Sequence, residues 1–340
     1  MKKASKRILV TGAAGFIGFH LTQALLKRGH PVLGIDNLNA YYDPALKQAR
    51  LSLLNPQSGF EFRKLDLADR ARMQQLFAQE PFSAVAHIGA QAGVRHSLND
   101  PLAYVDSNLS GFAHVLEGCR HGDVDHLLFA SSSSVYGANA RLPWSVNDNV
   151  DHPVSLYAAS KKANELMAHS YAHLYGLPCT GLRFFTVYGP WGRPDMAYYK
   201  FTRAILAGEP IEVYDEGRMQ RDFTYVDDVI HAILSLLETS AQPDPQWDPM
   251  APRPDSSKAP YRIYNIGNHS PVGLGDFIAT LESALGAKAT KIALPMQPGD
   301  VPATYADVDS LQQATGFAPS TPLADGLARF VAWYRQYHGV

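Results

Sequence analysis

Tyr157 and Lys161 stand four positions apart in Tyr157-Ala158-Ala159-Ser160-Lys161, inside a helical pattern that runs on through Ala163, Leu166, Met167 and Tyr171. Positions i and i+4 share a helix face, so the phenol and the ammonium point the same way. A neighbouring ammonium favours phenolate over phenol and brings the tyrosine toward the working pH of a general base and acid. Upstream, Ser131-Ser132-Ser133-Ser134 closes an apolar run, and a hydroxyl there can donate to an alcohol oxygen that is being oxidised. Nearer the start, Thr11-Gly12-Ala13-Ala14-Gly15-Phe16-Ile17-Gly18 follows the first apolar run and opens a helix. Gly12 permits a tight turn, Gly15 lets backbone approach a pyrophosphate, and Gly18 lets the helix lie close on the strand. The helix start at Phe16 and Ile17 adds free N–H groups and a partial positive charge. The glycine spacing departs from the simplest Gly-x-Gly-x-x-Gly form. Each signal alone has a plainer reading: a surface pair on a helix, a polar strand-end loop, a glycine turn.

Asp36 adds to the glycine loop. It ends the second strand, where a carboxylate accepts from both ribose hydroxyls of a dinucleotide and repels a 2′-phosphate, which favours NAD over NADP; the alternative is a cap or turn residue. Asp66-Leu67 follows the third strand and either meets the adenine or makes a turn.

Positioning these groups requires a sheet. Ile8–Val10, Val32–Ile35, Phe60–Lys64, Ala84–His87, Leu127–Ala130 and Thr180–Phe185 read as strands, with helical stretches between most of them. The first helix spans Ile17–Arg28, with Ile17, Leu21, Leu25 and Leu26 on one face. Such alternation predicts an α/β fold with a Rossmann-type, doubly wound parallel sheet that binds ligands at the carboxyl ends of its strands. The glycine loop, the serines and the Tyr157 helix then share one sheet edge. After about Gly189 the strands shorten, around Ile211–Val213 and Arg262–Ile266, which predicts a smaller C-terminal substrate domain with segments returning to the first. The stretch Thr239–Pro260, rich in Pro, Asp, Ser and Gln, reads as a mobile surface loop.

Composition narrows the classes. Of 340 residues, 46% are hydrophobic and 18% charged, ordinary for a globular enzyme, and the net charge of -2 offers no basic field for nucleic acid. No apolar run is long enough to span a bilayer. The basic start Met1–Arg7 leads into too few apolar residues for a signal-peptide core. Cys119 and Cys179 sit in apolar surroundings and read as buried free thiols, which together with the rest fits the cytoplasm. No metal site is expected.

The segments Thr11–Gly18, Ser131–Gly137 (SSSSVYG) and Tyr157–Lys161 resemble extended short-chain dehydrogenases. Four more segments narrow the resemblance: AQAGVRHS (Ala90–Ser97), RFFTVYGPWGRPDM (Arg183–Met196), RDFTYVDD (Arg221–Asp228) and MQPGDVPATYADV (Met296–Val308). Together they are similar to bacterial UDP-glucuronate 4-epimerases, nearly end to end, failing only in Thr239–Pro260. The Arg183–Met196 block is the most specific of them.

The resemblance implies roles. Tyr157 would be base and acid, with Lys161 its partner and a ligand of the nicotinamide ribose. The family's catalytic hydroxyl falls on Ser132, three residues before the valine of VYG. Ser133 and Ser134 would help hold the sugar. The NAD set would be Gly12, Gly15, Phe16, Ile17, Gly18, Asp36, Asn37, Asp66, Leu67, Gln91, Asn108, Tyr157 and Lys161, although Gln91 and Asn108 also read as core hydrogen bonders. Thr186 stands where UDP-galactose epimerases have asparagine (RYFN), suggesting a different sugar. Arg193 is a carboxylate partner or else one half of a surface ion pair. Arg221 and Asp300 match positions that hold the diphosphate and a ribose. Gln297 replaces a second diphosphate arginine, for which Arg95 is the substitute. Asp227-Asp228 reads as a helix cap.

On this reading residues 1–188 form the NAD-binding domain, with returns at about 221–238 and 262–268, and 189–340 mainly bind the UDP-sugar. The expected reaction oxidises C4 of UDP-glucuronate to a ketone and reduces it from the opposite face to give UDP-galacturonate. A UDP-glucuronate decarboxylase, a UDP-hexose or UDP-N-acetylhexosamine epimerase and a non-catalytic NAD sensor are the alternatives. The helices at about Leu102–Arg120 and Tyr157–Tyr175 carry apolar residues on more than one side, and the family pairs such helices across a two-fold axis, so a homodimer is expected.

Overall fold

The computed structural model describes residues 6–297 and 299–340. The basic segment Met1–Ser5 lies outside them. The strands are β1 (Arg7–Thr11), β2 (Val32–Asp36), β3 (Phe60–Lys64), β4 (Phe82–His87), β5 (His126–Ser132), β6 (Cys179–Phe184), β7 (Thr186–Tyr188), β8 (Ile211–Tyr214), β9 (Gln220–Tyr225), β10 (Tyr261–Ile266), β11 (Pro271–Gly273) and β12 (Lys291–Leu294). Seven of them form one sheet in the order β10-β6-β5-β4-β1-β2-β3. The pairs β1/β2, β1/β4, β2/β3, β4/β5 and β5/β6 are parallel. β2, β5 and β6 are buried along their whole length, because both faces of a parallel sheet are covered by its crossover segments. The chain winds outward through β1, β2 and β3, then starts again at β4 and winds the other way. β1 and β4 therefore flank the point of reversal, where the strand ends leave a crevice.

Two compact units divide the chain. The first comprises Met1–Asn139, Val146–Phe184 and Ile233–Asn265; the second comprises Ala140–Ser145, Phe185–Ala232 and Ile266–Val340. This differs from the expected division at 188. The expected strand Thr180–Phe185 forms β6, ending at Phe184, and a separate short strand, Thr186–Tyr188, follows and pairs with β9. β9 itself pairs with β11, so the return expected from about 221 begins only at Ile233. A buried carboxylate secures the second unit. Asp222 accepts from the backbone N–H groups of Asn268 and Ala306, and its own N–H donates to Thr304. Burial raises the Asp222 pKa against these hydrogen bonds.

Two further stretches show structure that their sequence does not announce. The Leu102–Arg120 stretch is interrupted by a π-helical turn at Val105–Ser110 between Leu102–Tyr104 and Gly111–His121. The Thr239–Pro260 loop is tied to itself rather than open. Asp244 donates its N–H to Ser257 and accepts from Ser256 Oγ, and Arg253 grips Asp255. Asp255, Ser256 and Ser257 are buried. Short polar side chains that bond nearby backbone are what suited this segment to a loop, and the same bonds order it. Among the described residues no helix is long and apolar enough to cross a membrane.

Candidate active site

The glycine loop is a cradle with no room for side chains. Gly12 has φ +69°, and a Cβ on it would lie 2.7 Å from the Gly89 Cα, across the β1/β4 reversal point. A Cβ on Gly18 would lie 2.1 Å from the Gly12 carbonyl oxygen. The Phe16–Lys27 helix begins at Gly15 with no side-chain cap and no acidic residue in its first turn, so its N-terminal N–H groups remain available to an anion. These features fit a dinucleotide pyrophosphate. Asp36 closes β2 with its carboxylate mostly buried. Its Oδ1 accepts from the Leu38 N–H at 2.8 Å and faces Lys47 Nζ at 3.4 Å. Asn37 donates to Asp66, which also turns the chain by accepting from Ala68 N–H. The Leu67 carbonyl is held by His114 at 2.8 Å.

A polar chain runs from this corner to the tyrosine helix. Lys47 Nζ donates to Asn39 Oδ1 at 2.9 Å, and Asn39 Nδ2 reaches Gln91 Oε1 at 3.4 Å. Asn108 sits in the π-helical turn and is 1% exposed. Its side chain accepts from the Gln91 N–H at 2.8 Å and donates to the Gln91 carbonyl and to Ser160 Oγ, each at 3.0 Å. The Asn108 carbonyl takes the Asn164 amide at 2.7 Å, and Ser160 Oγ donates to the Tyr157 carbonyl at 2.8 Å. A carbonyl displaced by a π turn needs such a partner. Gln91 and Asn108 are thus buried hydrogen bonders that tie the reversal point to the helix carrying Tyr157.

That helix, Leu156–Tyr175, starts because Ser155 caps it, accepting from Ala158 N–H at 3.1 Å, and ends at Gly176 in the left-handed conformation. The cap places Tyr157 in the first turn, half-buried, with the Tyr104 ring edge-on at 6.0 Å. Lys161 is 2% exposed and donates to the Ala130 carbonyl of β5 at 2.8 Å. Burial pushes its pKa down to about 8. His87, at the end of β4, is pushed down to about 3 by burial first and by the Lys161 charge second, so it stays neutral and adds no competing cation. It shares a hydrogen bond of 2.9 Å with Thr11, whose Oγ1 also accepts from the Gly89 N–H.

One turn beyond Lys161, Glu165 occupies the same helix face. Both its oxygens accept from Arg183 of β6 at 2.9 Å, and Oε1 also takes the Ser131 hydroxyl at 2.7 Å. Burial opposes ionisation of Glu165, but the charge and hydrogen bonds of Arg183 outweigh it and the pKa falls. Tyr136 lies under the Arg183 guanidinium at 4.9 Å and donates to Asn265 at 2.7 Å. Next along β5, Ser132 accepts from the Ser134 N–H at 3.2 Å, which starts the short 3-10 turn Ser133–Tyr136 and keeps Ser133 and Ser134 half-buried. The first unit thus brings together the glycine loop, Asp36, Asn37, Asp66, Gln91, Asn108, the serines, Tyr157 and Lys161. Arg95 is exposed at the start of the short His96–Asn99 helix.

In the second unit Thr186 opens β7 opposite Phe223. Arg193 holds Asp195 through two nitrogens, Nε to Oδ1 at 3.0 Å and Nη2 to Oδ2, so the ion-pair reading describes it in this structure. Its loop is braced by the C-terminal helix Leu323–His338: the Trp191 ring lies 5.2 Å from both Trp333 and Tyr337. Arg221 in β9 donates to the Gln220 and Pro302 carbonyls, which brings it beside the segment that carries Asp300. Asp228, in the first turn of Val226–Leu237, accepts from the N–H groups of Ser320 and Thr321.

Sequence reading misses Glu165 and Lys47, and it gives Ser131 no role apart from the serine cluster. Glu165 had a signal, since it continues the i, i+4 series of Tyr157 and Lys161. Lys47 sits in an ordinary amphipathic helix, Pro44–Leu54, and had none.

The NAD dependent epimerase/dehydratase family model matches residues 8–267. The probable UDP-glucuronate 4-epimerase of Rhizobium meliloti is 48% identical over 336 residues, covering 97% of each chain. Among solved structures, UDP-glucuronic acid 4-epimerase of Bacillus cereus, in complex with UDP-glucuronic acid and NAD, superposes with a TM-score of 0.85 at 33% identity, over 97% of this chain and 99% of that one. UDP-glucose 4-epimerase of Thermotoga maritima, with UDP-glucose, also reaches 0.85, at 27% identity over 98% and 99%.

Lys161 yields a test of the buried geometry. The folded protein releases its proton near pH 8, whereas the unfolded chain keeps it to about 10.5, so the cost of burying this cation fades as pH rises through that window. Lys161→Met has no charge to bury. Its stability advantage over the parent is expected to shrink by about 2 kcal/mol between about pH 7.5 and pH 10, read from urea unfolding. A constant difference would mean that the buried lysine holds its proton throughout.

Proposed function

This chain belongs to the NAD dependent epimerase/dehydratase family, and on that premise we propose that it interconverts UDP-glucuronate and UDP-galacturonate. It is an NAD-dependent UDP-sugar 4-epimerase; the sugar is the proposal. The observation that carries the choice of sugar is Thr186 followed by Arg193, where a neutral-sugar epimerase would place asparagine in the first position. A threonine leaves room for a carboxylate and can donate to it. The Arg193 fork already grips Asp195 at two points, which supports its suitability for a carboxylate.

Tyr157, held as phenolate by the Lys161 ammonium, takes the proton of the sugar O4, while the Ser132 hydroxyl donates to that oxygen. NAD bound at this site would supply reversible hydride transfer at C4, with no net oxidation or reduction of the sugar. The glycine loop and the Phe16–Lys27 helix start would hold the pyrophosphate, and Asp36 the adenosine ribose. Tyr157 gives its proton back as the ketone is reduced. The transient ketone is beta to the carboxylate, and such acids lose carbon dioxide when the carboxylate bond aligns with the carbonyl π system. Ser133, Ser134, Thr186 and Arg193 would hold it out of that alignment, while Arg221 and Asp300 would hold the diphosphate and uridine ribose, with Arg95 as a second phosphate contact.

The test is to incubate the parent, Tyr157→Phe and Arg193→Ala with UDP-glucuronate and with UDP-glucose and separate the products. The parent should give UDP-galacturonate. Tyr157→Phe should lose roughly a hundred- to ten-thousand-fold in rate while still folding. Arg193→Ala should lose roughly ten- to 150-fold on UDP-glucuronate, much less on UDP-glucose, and release some UDP-pentose. UDP-pentose as the parent's main product would make it a decarboxylase; faster turnover of UDP-glucose would overturn the sugar assignment; no turnover of any UDP-sugar would leave an NAD-binding protein without this chemistry.

A homodimer is also proposed. Leu102 is 70% exposed, and Leu166 and Leu174 on the tyrosine helix are 58% and 66% exposed. Apolar surface on two adjacent helices suits a two-fold helical bundle. Light scattering at micromolar concentration should give twice the chain mass, and a monomer would refute the pairing.

A further inference from the structure

The Asp36 corner holds a cation that the proposed cofactor assignment does not use. Lys47 and Asp36 are both more than nine-tenths buried, and Nζ lies 3.4 Å from Oδ1. Two of the three ammonium donors are engaged, one by Asp36 and one by Asn39 Oδ1 at 2.9 Å. On the carboxylate, Oδ1 serves both Leu38 N–H and Lys47, whereas Oδ2 has no hydrogen-bond partner among the described residues. The carboxylate is thus anchored by one oxygen and presents the other. Tyr42 lies 5.3 Å from Lys47 Nζ, and Arg50, fully buried, donates to the Tyr42 hydroxyl at 2.9 Å and to the Ala14 carbonyl of the glycine loop at 2.8 Å. Among the described residues, Asp36 supplies the only carboxylate paired with Lys47, in a corner that also holds Arg50.

We propose that Lys47, with Asn39, forms a latent binding site for the 2′-phosphate of a phosphorylated adenine dinucleotide, masked in this chain by the Asp36 carboxylate. The idea rests on the assignment of Asp36 to the adenosine ribose. A buried ammonium is tolerated only with an anionic or strongly polar partner. While Asp36 supplies that charge, a phosphate arriving at the same place meets a carboxylate and is repelled. Replace the carboxylate by a small neutral hydroxyl, and the ammonium is left without its anion at the position a 2′-phosphate would fill. Selection against the phosphorylated dinucleotide then lies in one side chain, and the cationic half of the opposite preference is already built.

The experiment compares the parent, Asp36→Ser and the double variant Asp36→Ser/Lys47→Met. The double variant removes both members of the buried pair, so neither charge is stranded, and circular dichroism checks that each protein is folded. Each is equilibrated with equal concentrations of NAD and NADP, separated from free nucleotide and denatured, and the released dinucleotides are quantified by chromatography. The parent should release NAD almost alone. Asp36→Ser should shift the NADP:NAD ratio toward NADP by more than a hundredfold. The double variant should lose roughly ten- to 150-fold of that gain, the contribution of a hydrogen bond to a charged group. A double variant that keeps the whole gain would overturn the latent site while leaving the ribose assignment standing, and an Asp36→Ser protein as selective for NAD as the parent would overturn both. A parent that takes NADP as readily as NAD would likewise overturn that assignment, and the latent site with it.

Discussion

The buried ion pair between Glu165 and Arg183 is the constraint on which the rest of the catalytic unit depends. Neither side chain is more than 3% exposed. Two parallel N–H···O bonds, a serine hydroxyl and the Tyr136 ring surround charges that water cannot reach. Such a pair returns little net stability once desolvation is counted, yet stranding either partner costs about 3–5 kcal/mol. Its effect is therefore geometric. It fixes the rotation and height of the Leu156–Tyr175 helix against the ends of β5 and β6, because only one arrangement satisfies both oxygens.

That arrangement positions the groups proposed to react. Tyr157, Lys161 and Glu165 follow one another at four-residue steps on one helix, so the residue that is clamped and the residues proposed to react cannot move independently. Ser131, which the clamp holds, is joined by a peptide bond to Ser132. Lys161 adds a second attachment through the Ala130 carbonyl. At the other end, Asn108 and Ser160 connect the helix to Gln91 and, through Asn39 and Lys47, to Asp36. The Asp36 corner and the helix that carries Tyr157 are thus linked through successive hydrogen-bonded residues, and the π-helical turn lies where Asn108 faces two elements at once.

Much of this was legible in the sequence, and the reasons for what was not are physical. Buried parallel strands are continuous apolar runs, so β1, β2, β4, β5 and β6 stand out in the sequence, while the half-buried edge strand Phe60–Lys64 of mixed composition still falls at its expected bounds. Glycines at a close approach and a tyrosine–lysine pair at helical spacing announce their own geometry. The short strand Thr186–Tyr188 does not, because nothing in its residues shows that it pairs with β9 instead of extending β6. The π turn was invisible because its residues suit an α-helix equally well. The internal bonding of the Thr239–Pro260 surface loop is not legible, because composition does not tell whether Asp and Ser side chains bond to solvent or to one another. Arg193 was read both as a carboxylate ligand and as an ion-pair member; Asp195, two residues on, makes the second description true of the protein as it stands without removing the first.

The claim that the clamp sets the chemistry is tested most directly by the kinetics of Glu165→Gln. The substitution keeps the side chain's shape and removes its charge and one acceptor. If the Glu165–Arg183 pair aligns Tyr157, Lys161 and Ser132, kcat for the UDP-sugar should fall roughly tenfold to a hundredfold, as expected for reacting groups displaced by a fraction of an ångström to an ångström, while KM and the amount of bound NAD stay near those of the parent. A folded Glu165→Gln enzyme with parental kcat would contradict the account.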